Sequence, residues 1–465
     1  MLVTNPPETL DPRYATDAVG LRATRLVHAG LFAVDGETLS PRPMLAESYA
    51  WESPSSLRVV LRKNLRFHSG KPLASRDVVA TLAAFASPAV GSRHARVVSP
   101  ILDAEEDGEG AVRIRLRHAH ATLLTDLELP VLRADQAAGP PRPDGDLDGL
   151  GPFRVTSRTG GVVELAPADT GVFPRPAHGV ALRTVRDENA RALRLHAGRA
   201  DVVQNGFSPS LLPTFDGSRG LHVVARPGAN LTYLVLRVDR GPLADARLRR
   251  AISSAVDREL LARTLFAGHA QAARTLLPEG HWATPDAPAV PRDLEGARAR
   301  VREAGAEGLR LTLLTSTDRL RGVLARTLAQ ELAEAGILVD VVPLELGTML
   351  ARLGAGDFEV AMLQLPELVE PNVLRVFLHG SSVPPSGSNR GRVRDQALDA
   401  LLDLGAWTTD MEERRRIYAS VEARIRAEAL LVPLFHEDQV AVISDRARGF
   451  VPGRDGRMLG LAFLP

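Results

Sequence analysis

His118-Ala119-His120 places two imidazoles on one face of an expected strand, with Asp126 six residues on. That spacing can hold a metal ion. The chain has twelve histidines, so a pair of this kind arises by chance, and no metal is assigned to it. Glu105-Glu106-Asp107 falls in an expected hairpin turn, where carboxylates are solvated. Glu412-Glu413 precedes Arg414-Arg415-Arg416 at the spacing of weak ion pairs on an exposed helix face. Gly149-Leu150-Gly151 lacks the third glycine and the strand-to-helix setting of a dinucleotide loop, and reads as a domain-junction turn. GxSxG, HExxH and GxxxxGK[ST] are absent. With no cysteine, disulfides, zinc-thiolate sites and thiol nucleophiles are excluded. Nothing nominates a catalytic acid, base or nucleophile, and the residues point to binding rather than catalysis.

Composition narrows the class further. At 465 residues the chain is long enough for two or three lobes with separate cores. Fifty-seven basic against 56 acidic residues leave a net charge of +1, so no global field attracts nucleic acid or an anionic membrane. Lys63 and Lys71 are the only lysines, an arginine bias spread along the whole chain that reads as compositional. Aromatic residues are 4% of the chain, which argues against a site built on many stacked rings. No apolar run reaches the ~18 residues of a membrane span. The opening MLVTNPPETLDP lacks the basic and apolar stretches of a secretory signal.

The elements that must position any site form a mixed α/β pattern. Residues 21–34 read as a short helix running into Leu31, Phe32 and Val34, and 45–67 alternate as a hairpin. Ser75 is expected to cap a helix over 76–86, followed by strands at 96–103 and 111–118. The run Gly139-Pro140-Pro141-Arg142-Pro143-Asp144-Gly145 through Gly151 is the clearest linker. Strands near 152–157, 162–166 and 180–185 precede a helix over 187–197 and a strand at 201–203. Beyond it lie a strand at 231–238 and a helical stretch at 244–267 broken near Asp257. A strand at 309–315, a helix over 319–335 and a strand at 337–344 make a βαβ unit, so its strands should be parallel. A helix near 347–354 and a strand at 358–365 repeat the theme. Helices at 394–404 and 410–428 and strands at 431–436 and 439–443 complete the chain. Ligands of open α/β sheets sit beyond the C-terminal ends of parallel strands, which nominates the loops after 315 and 365.

Several segments resemble the family 5 extracytoplasmic solute-binding proteins (peptide/nickel type) of ABC importers. Leu10-Asp11-Pro12 is similar to the family's opening "LDP", and Met44-Leu45-Ala46-Glu47-Ser48-Tyr49 to its "LAESW". The run Leu61-Arg62-Lys63-Asn64-Leu65-Arg66-Phe67-His68-Ser69-Gly70-Lys71-Pro72-Leu73, with Asp77-Val78-Val79, resembles "LRKGVKFHDGTPLTAEDVV". Gly149-Leu150-Gly151-Pro152-Phe153 resembles "GTGPY". Pro242-Leu243, Arg247, Arg250-Ala251-Ile252, Ala255-Val256-Asp257-Arg258 and Gly268 follow "PLxDxRVRQAIxxAIDRE…G", and Val432-Pro433-Leu434-Phe435 the late "PLF". These matches run from residue 10 to about 436 in the family's order.

The resemblance implies a two-lobed periplasmic-binding-protein-like α/β fold (class II, cluster C) with an extra small domain on the first lobe. Mapped here, the first lobe combines 1–45, 150–230 and 437–465, the extra domain is 46–149, and the second lobe is 231–436. It implies capture of a short peptide in an interlobe cleft by hinge closure and delivery to an ABC importer permease. It implies a periplasmic or extracytoplasmic monomer that needs no cofactor or metal, binds no nucleic acid and does not span the membrane. The same scaffold also serves as the ligand-sensing domain of regulators, or takes non-peptide solutes such as a nickel complex, a sugar or an opine. By the same resemblance, Glu367 in Leu365-Pro366-Glu367-Leu368-Val369-Glu370-Pro371 stands where an aspartate usually holds the peptide's α-ammonium, with Glu370 as second candidate. Leu363 and Leu365 lie on the strand expected to pair with peptide backbone. Arg352 falls near a family arginine that reaches a ligand carboxylate. Thr16, Asp17 and Ala18, then Gln204, Asn205 and Phe207, and finally Asn389 are expected to face the ligand.

Overall fold

Apolar residues along 231–236 and 360–365 alternate between two different cores, and that alternation sets the architecture of the second half of the chain. The computed structural model describes all of residues 1–465. Met1–Phe207, Leu211–Arg226 and Gln439–Pro465 form one unit; Ser208–Ser210 and Pro227–Asp438 form the other.

The second unit is built on a six-stranded sheet. Its spatial order is Ala270–Ala272, Leu431–Glu437, Leu231–Leu236, Val360–Leu365, Leu309–Ser316, Ile337–Leu344. Leu234, Leu236, Leu311, Leu313, Val360 and Met362 enter one core, with the helices Ala246–Ala255, Arg258–Leu265, Leu294–Glu303 and Arg319–Glu334. Leu231, Tyr233, Val235, Leu314, Ala361 and Leu365 enter the other, with Leu346–Ala355, Val373–Leu378, Gln396–Trp407 and Met411–Glu428. Both faces are covered, as a parallel βαβ arrangement requires. The 309–316 strand pairs in parallel with 337–344 on one side and with 360–365 on the other. Strand order therefore reverses at 309–316, and the switch-point rule directs attention to its C-terminal end.

The first unit holds a seven-stranded sheet in the order 221–226, 439–444, 202–204, 2–3, 180–184, 162–167, 153–159. It also holds a four-stranded antiparallel sheet of 46–53, 56–61, 111–116 and 101–106, with a core of its own that includes Leu57, Val59, Phe67, Phe85 and Ile114. This sheet belongs to the same compact unit as the seven-stranded sheet. We propose 46–149 as the extra domain, with Leu31, Phe32, Met44 and Leu45 of the preceding segment completing its core.

The recognised sequence segments interlock. Asp11 and Arg13 are fully buried and paired at 2.6 Å, and Arg13 donates onward to the carbonyls of Ala137, Gly139 and Pro140. The opening Leu10-Asp11-Pro12 thus fastens the Pro-rich linker. His68 Nε2 meets the Gly151 carbonyl at 3.0 Å, and Ser69 N–H donates to Asp148. A Cβ on Gly149 would lie 2.0 Å from the Val27 carbonyl oxygen, so only glycine allows that approach. Asp257 caps the 258–265 helix through Leu260 N–H, and the buried Arg258 donates to the Pro433 carbonyl.

Local signals misplaced several boundaries. The first helix spans Ala18–Val27 because Asp17 caps it, and 32–34 is a strand. Ser75 is already helical, and Asp77 takes the capping role by accepting Ala74 N–H. Residues 95–98 are helical where a strand was expected, and that strand begins at Ile101. The Leu294–Glu303 helix has no counterpart in the sequence reading. Its arginine-rich face masks the two core positions Ala297 and Val301.

Two buried ionic features lead to measurable expectations. The Arg414 side chain is 2% exposed and bonds Glu370 at 2.6 Å, with its guanidinium 5.1 Å from the Trp282 ring. Glu370 also accepts Asn372 N–H, so the pair anchors the loop after the 360–365 strand to the 411–428 helix. Glu370→Gln is expected to cost about 3 kcal/mol, because it strands a buried cation. Urea denaturation of E370Q, R414M and the double variant should show the double closer to wild type than the sum of the singles. Burial pushes the Glu422 carboxyl up to about 7, against the lowering effect of hydrogen bonds from Leu277 and Leu276 N–H. The unfolded chain releases this proton near the ordinary glutamate value, so the group's contribution to stability falls as pH rises from about 4.5 to 7. Gln at this position keeps the acceptor without the charge. Glu422→Gln is expected to stabilise by about 2 kcal/mol at pH 8 and by less than about 0.5 kcal/mol at pH 4.5, read from urea midpoints.

Candidate ligand site at the switch point

The 360–365 strand is paired along its whole length with 231–236, from Val360 opposite Leu236 to Leu365 opposite Leu231. On its other side the ladder to 309–316 stops after Leu313–Val360 and Leu314–Ala361. From Met362 to Leu365 one edge of an otherwise internal strand is open, at the C-terminal ends of both parallel strands. Backbone groups on such an edge are ready-made partners for an extended chain.

A polar cluster borders this opening on the helix 319–334 face of the sheet. Glu437 Oε1 accepts from Thr232 Oγ1 at 2.7 Å and from Gln364 Nε2 at 2.9 Å, and pairs with Arg321 Nη2 at 2.7 Å. Arg321 Nη1 also donates to Thr232 Oγ1 at 3.2 Å. Arg321 is carried by the first turn of Arg319–Glu334, whose cap is Asp318. The Thr315 hydroxyl, two residues from the loop, is buried without a hydrogen-bond partner. None of Thr232, Thr315, Arg321, Gln364 or Glu437 is marked by a local motif. Only the expectation that ligand loops follow 315 and 365 pointed toward them.

The sequence-derived residues fall into several places. Leu363 and Leu365 lie on the open-edged strand, with Leu365 buried and Leu363 packed against the same core. Glu367 is exposed two residues beyond the strand end, and Leu368 N–H behind it donates to the Ala229 carbonyl. Glu370 is engaged by Arg414 and belongs to the loop's anchor. Arg352 is not brought to this end of the sheet. It sits in the last turn of Leu346–Ala355, beside Glu359 at the start of the strand, and pairs with Asp357 at 2.8 Å. Six strand residues at about 3.3 Å each put it some 20 Å from Glu367. Asn389 is fully buried; its amide donates to the carbonyls of Leu378, His379 and Val393 and accepts Val393 N–H. With donors and acceptor all engaged it clamps a loop and presents nothing to a ligand.

In the first unit, Asp17 accepts Gly20 N–H and Glu8 N–H as a helix cap, flanked by exposed Thr16 and Ala18. Gln204 donates to the Gly456 carbonyl, and its Oε1 is buried without a hydrogen-bond partner. Asn205 adopts a left-handed backbone (φ 49°) and pins the returning chain by accepting Val440 N–H and donating to Gln439. Phe207 packs on Phe215 with ring centroids 4.7 Å apart. His118 and His120 lie beyond the Ala111–Leu116 strand rather than on it. Asp126 and Thr122 engage His120 Nε2, each at 2.8 Å. No cluster of three metal-ligating side chains exists anywhere in the chain.

Residues 40–368 match the family described as bacterial extracellular solute-binding proteins, family 5 (middle region). The chain is 27% identical over 456 residues to the "Probable di/tripeptide-binding protein 5" of Pseudomonas aeruginosa, covering 89% of this chain and 85% of that one. It is 25% identical over 465 residues to the "Probable D,D-dipeptide-binding periplasmic protein DdpA" of Escherichia coli, covering 96% and 89%. Among solved structures, the ABC transporter substrate-binding protein CtaP of Listeria monocytogenes superposes with a TM-score of 0.87 at 23% identity, covering 99% and 97%. Its fold is the expected two-lobed binding-protein fold. The chain belongs to family 5 of the bacterial extracellular solute-binding proteins.

Proposed function

We propose that the protein captures a short peptide and delivers it to the permease of an ABC importer, outside the cytoplasm, as a monomer. The observation that carries this reading is the open edge of Met362–Leu365, which offers main-chain hydrogen bonds to an extended ligand of any sequence. Family membership and relatives described as dipeptide- and di/tripeptide-binding proteins support it. The low aromatic content suits a ligand held by its backbone better than one held by stacking.

The mechanism is population shift by hinge closure: the peptide binds the closed state better than the open one, and that difference sets how far closure goes. No bond is made or broken in the ligand, so the protein is not an enzyme. In this reading Glu367 receives the peptide's α-ammonium through charge-assisted hydrogen bonds. Leu363 and Leu365 supply the paired backbone. Thr16, Asp17, Ala18, Gln204, Asn205 and Phe207 stay as proposed contacts from the first unit. No helix is long and apolar enough to cross a membrane.

Calorimetry of Ala-Ala-Ala and its N-acetylated form tests the assignment. Glu367→Ala is expected to weaken the free-amine peptide at least about tenfold while changing the acetylated one by less than about threefold. Equal losses remove Glu367 from the role. Separately, a tripeptide at ~100 times its Kd should stabilise the protein by roughly 2.7 kcal/mol. Methylating the peptide's central amide nitrogen should weaken binding if the strand edge is used. A thermal-shift response to a sugar or a metal chelate, with none to peptides, would replace the peptide by that solute.

A further inference from the structure

The second unit contains a cavity of about 340 Å³ at the other pole of its sheet, where the 360–365 strand begins. That volume is at the lower end of small-molecule sites. Its polar wall carries Arg237, Arg240 and Arg352, and its apolar wall is Pro242, Leu243 and Phe358.

The C-terminal end of the Leu346–Ala355 helix explains why arginines gather here, since its last carbonyls attract cations. Arg237 Nη1 and Arg240 Nη2 both donate to the Gly356 carbonyl, and Arg392 Nη2 donates to that of Gly354. Capping does not use up the donors, however. Arg240 makes only that one hydrogen bond, leaving Nε and Nη1. Arg352 binds Asp357 through Nε, leaving both terminal nitrogens. The two carboxylates of the lining are already engaged: Glu359 accepts Thr312 N–H at 2.8 Å, and Asp357 accepts from Arg352. One oxygen of each carboxylate stays open, but three guanidinium groups outnumber the two carboxylates in the lining, and the donors left on Arg240 and Arg352 match a carboxylate or phosphate in two-point geometry. Gly356 adopts φ +75°, a left-handed backbone that strains any residue with a Cβ at this turn.

We propose that this cavity is a second ligand site, separate from the peptide site, for a small organic anion whose carboxylate or phosphate meets Arg240 and Arg352. Its short apolar body lies against Leu243 and Phe358. The site stands whether or not the solute at the switch point is a peptide.

Methyl NMR of the full chain, following Leu243 and Thr312 during titrations with butyrate and with inorganic phosphate, tests it. Butyrate is expected to shift both methyl signals saturably and to bind more tightly than phosphate. Arg240→Gln, at an exposed position, should weaken butyrate at least about tenfold and leave Ala-Ala-Ala binding unchanged. R240Q/R352Q should abolish the butyrate response. A response that does not saturate, one that survives both substitutions, or phosphate binding as tightly as butyrate overturns the proposal.

Discussion

A strand that keeps one neighbour and loses the other a third of the way along its length is the constraint on which the second unit turns. Val360–Leu365 is hydrogen-bonded throughout to 231–236 but leaves 309–316 after Ala361. The divergence occurs where strand order reverses, so the two parallel strands are followed by connections that part company. Backbone donors and acceptors that would be satisfied in an uninterrupted sheet are left at the edge, which is a cost for folding alone and an asset for binding. The surrounding polar cluster is organised around this opening: Glu437, Arg321, Thr232 and Gln364 satisfy one another, so the desolvated charges near the edge are paired.

Apolar residues of the strand anchor it in both cores, and buried polar contacts fix the loops around it. The loop that follows it is tied down by Arg414 and Glu370 and by the Leu368–Ala229 backbone bond, so the exposed Glu367 is carried by a fixed segment. Asn389 does the same for the 378–393 loop from inside. At the opposite pole, arginines close the end of the 346–355 helix and leave donors over. The unit thus separates an edge suited to backbone recognition from a pocket suited to anions, about one strand length apart.

Much of the second unit was legible from the chain because helical and strand periodicity are strong there. Leu320, Leu324, Leu328 and Leu332 announce the 319–334 helix, and the parallel strands on either side follow from its length. Asp257 marked an element end for a reason of capping that the structure repeats. Boundaries failed where a side chain acts across the fold: Ser75 donates to Glu106 instead of capping its helix, and 95–98 coils although its residues favour a strand.

What the sequence determined by itself is the family and the fold class, because these depend on patterns local in sequence. Which side chains meet was decided only by the tertiary structure. Glu437 lies 205 residues from Thr232 and 116 from Arg321, and no spacing rule relates them. Arg352 and Glu367 are 15 residues apart yet at opposite ends of one strand, because the extended 360–365 strand itself is the segment that separates them. Asn389 carries the polar chemistry of a ligand contact, but burial turned all of its hydrogen-bonding capacity inward.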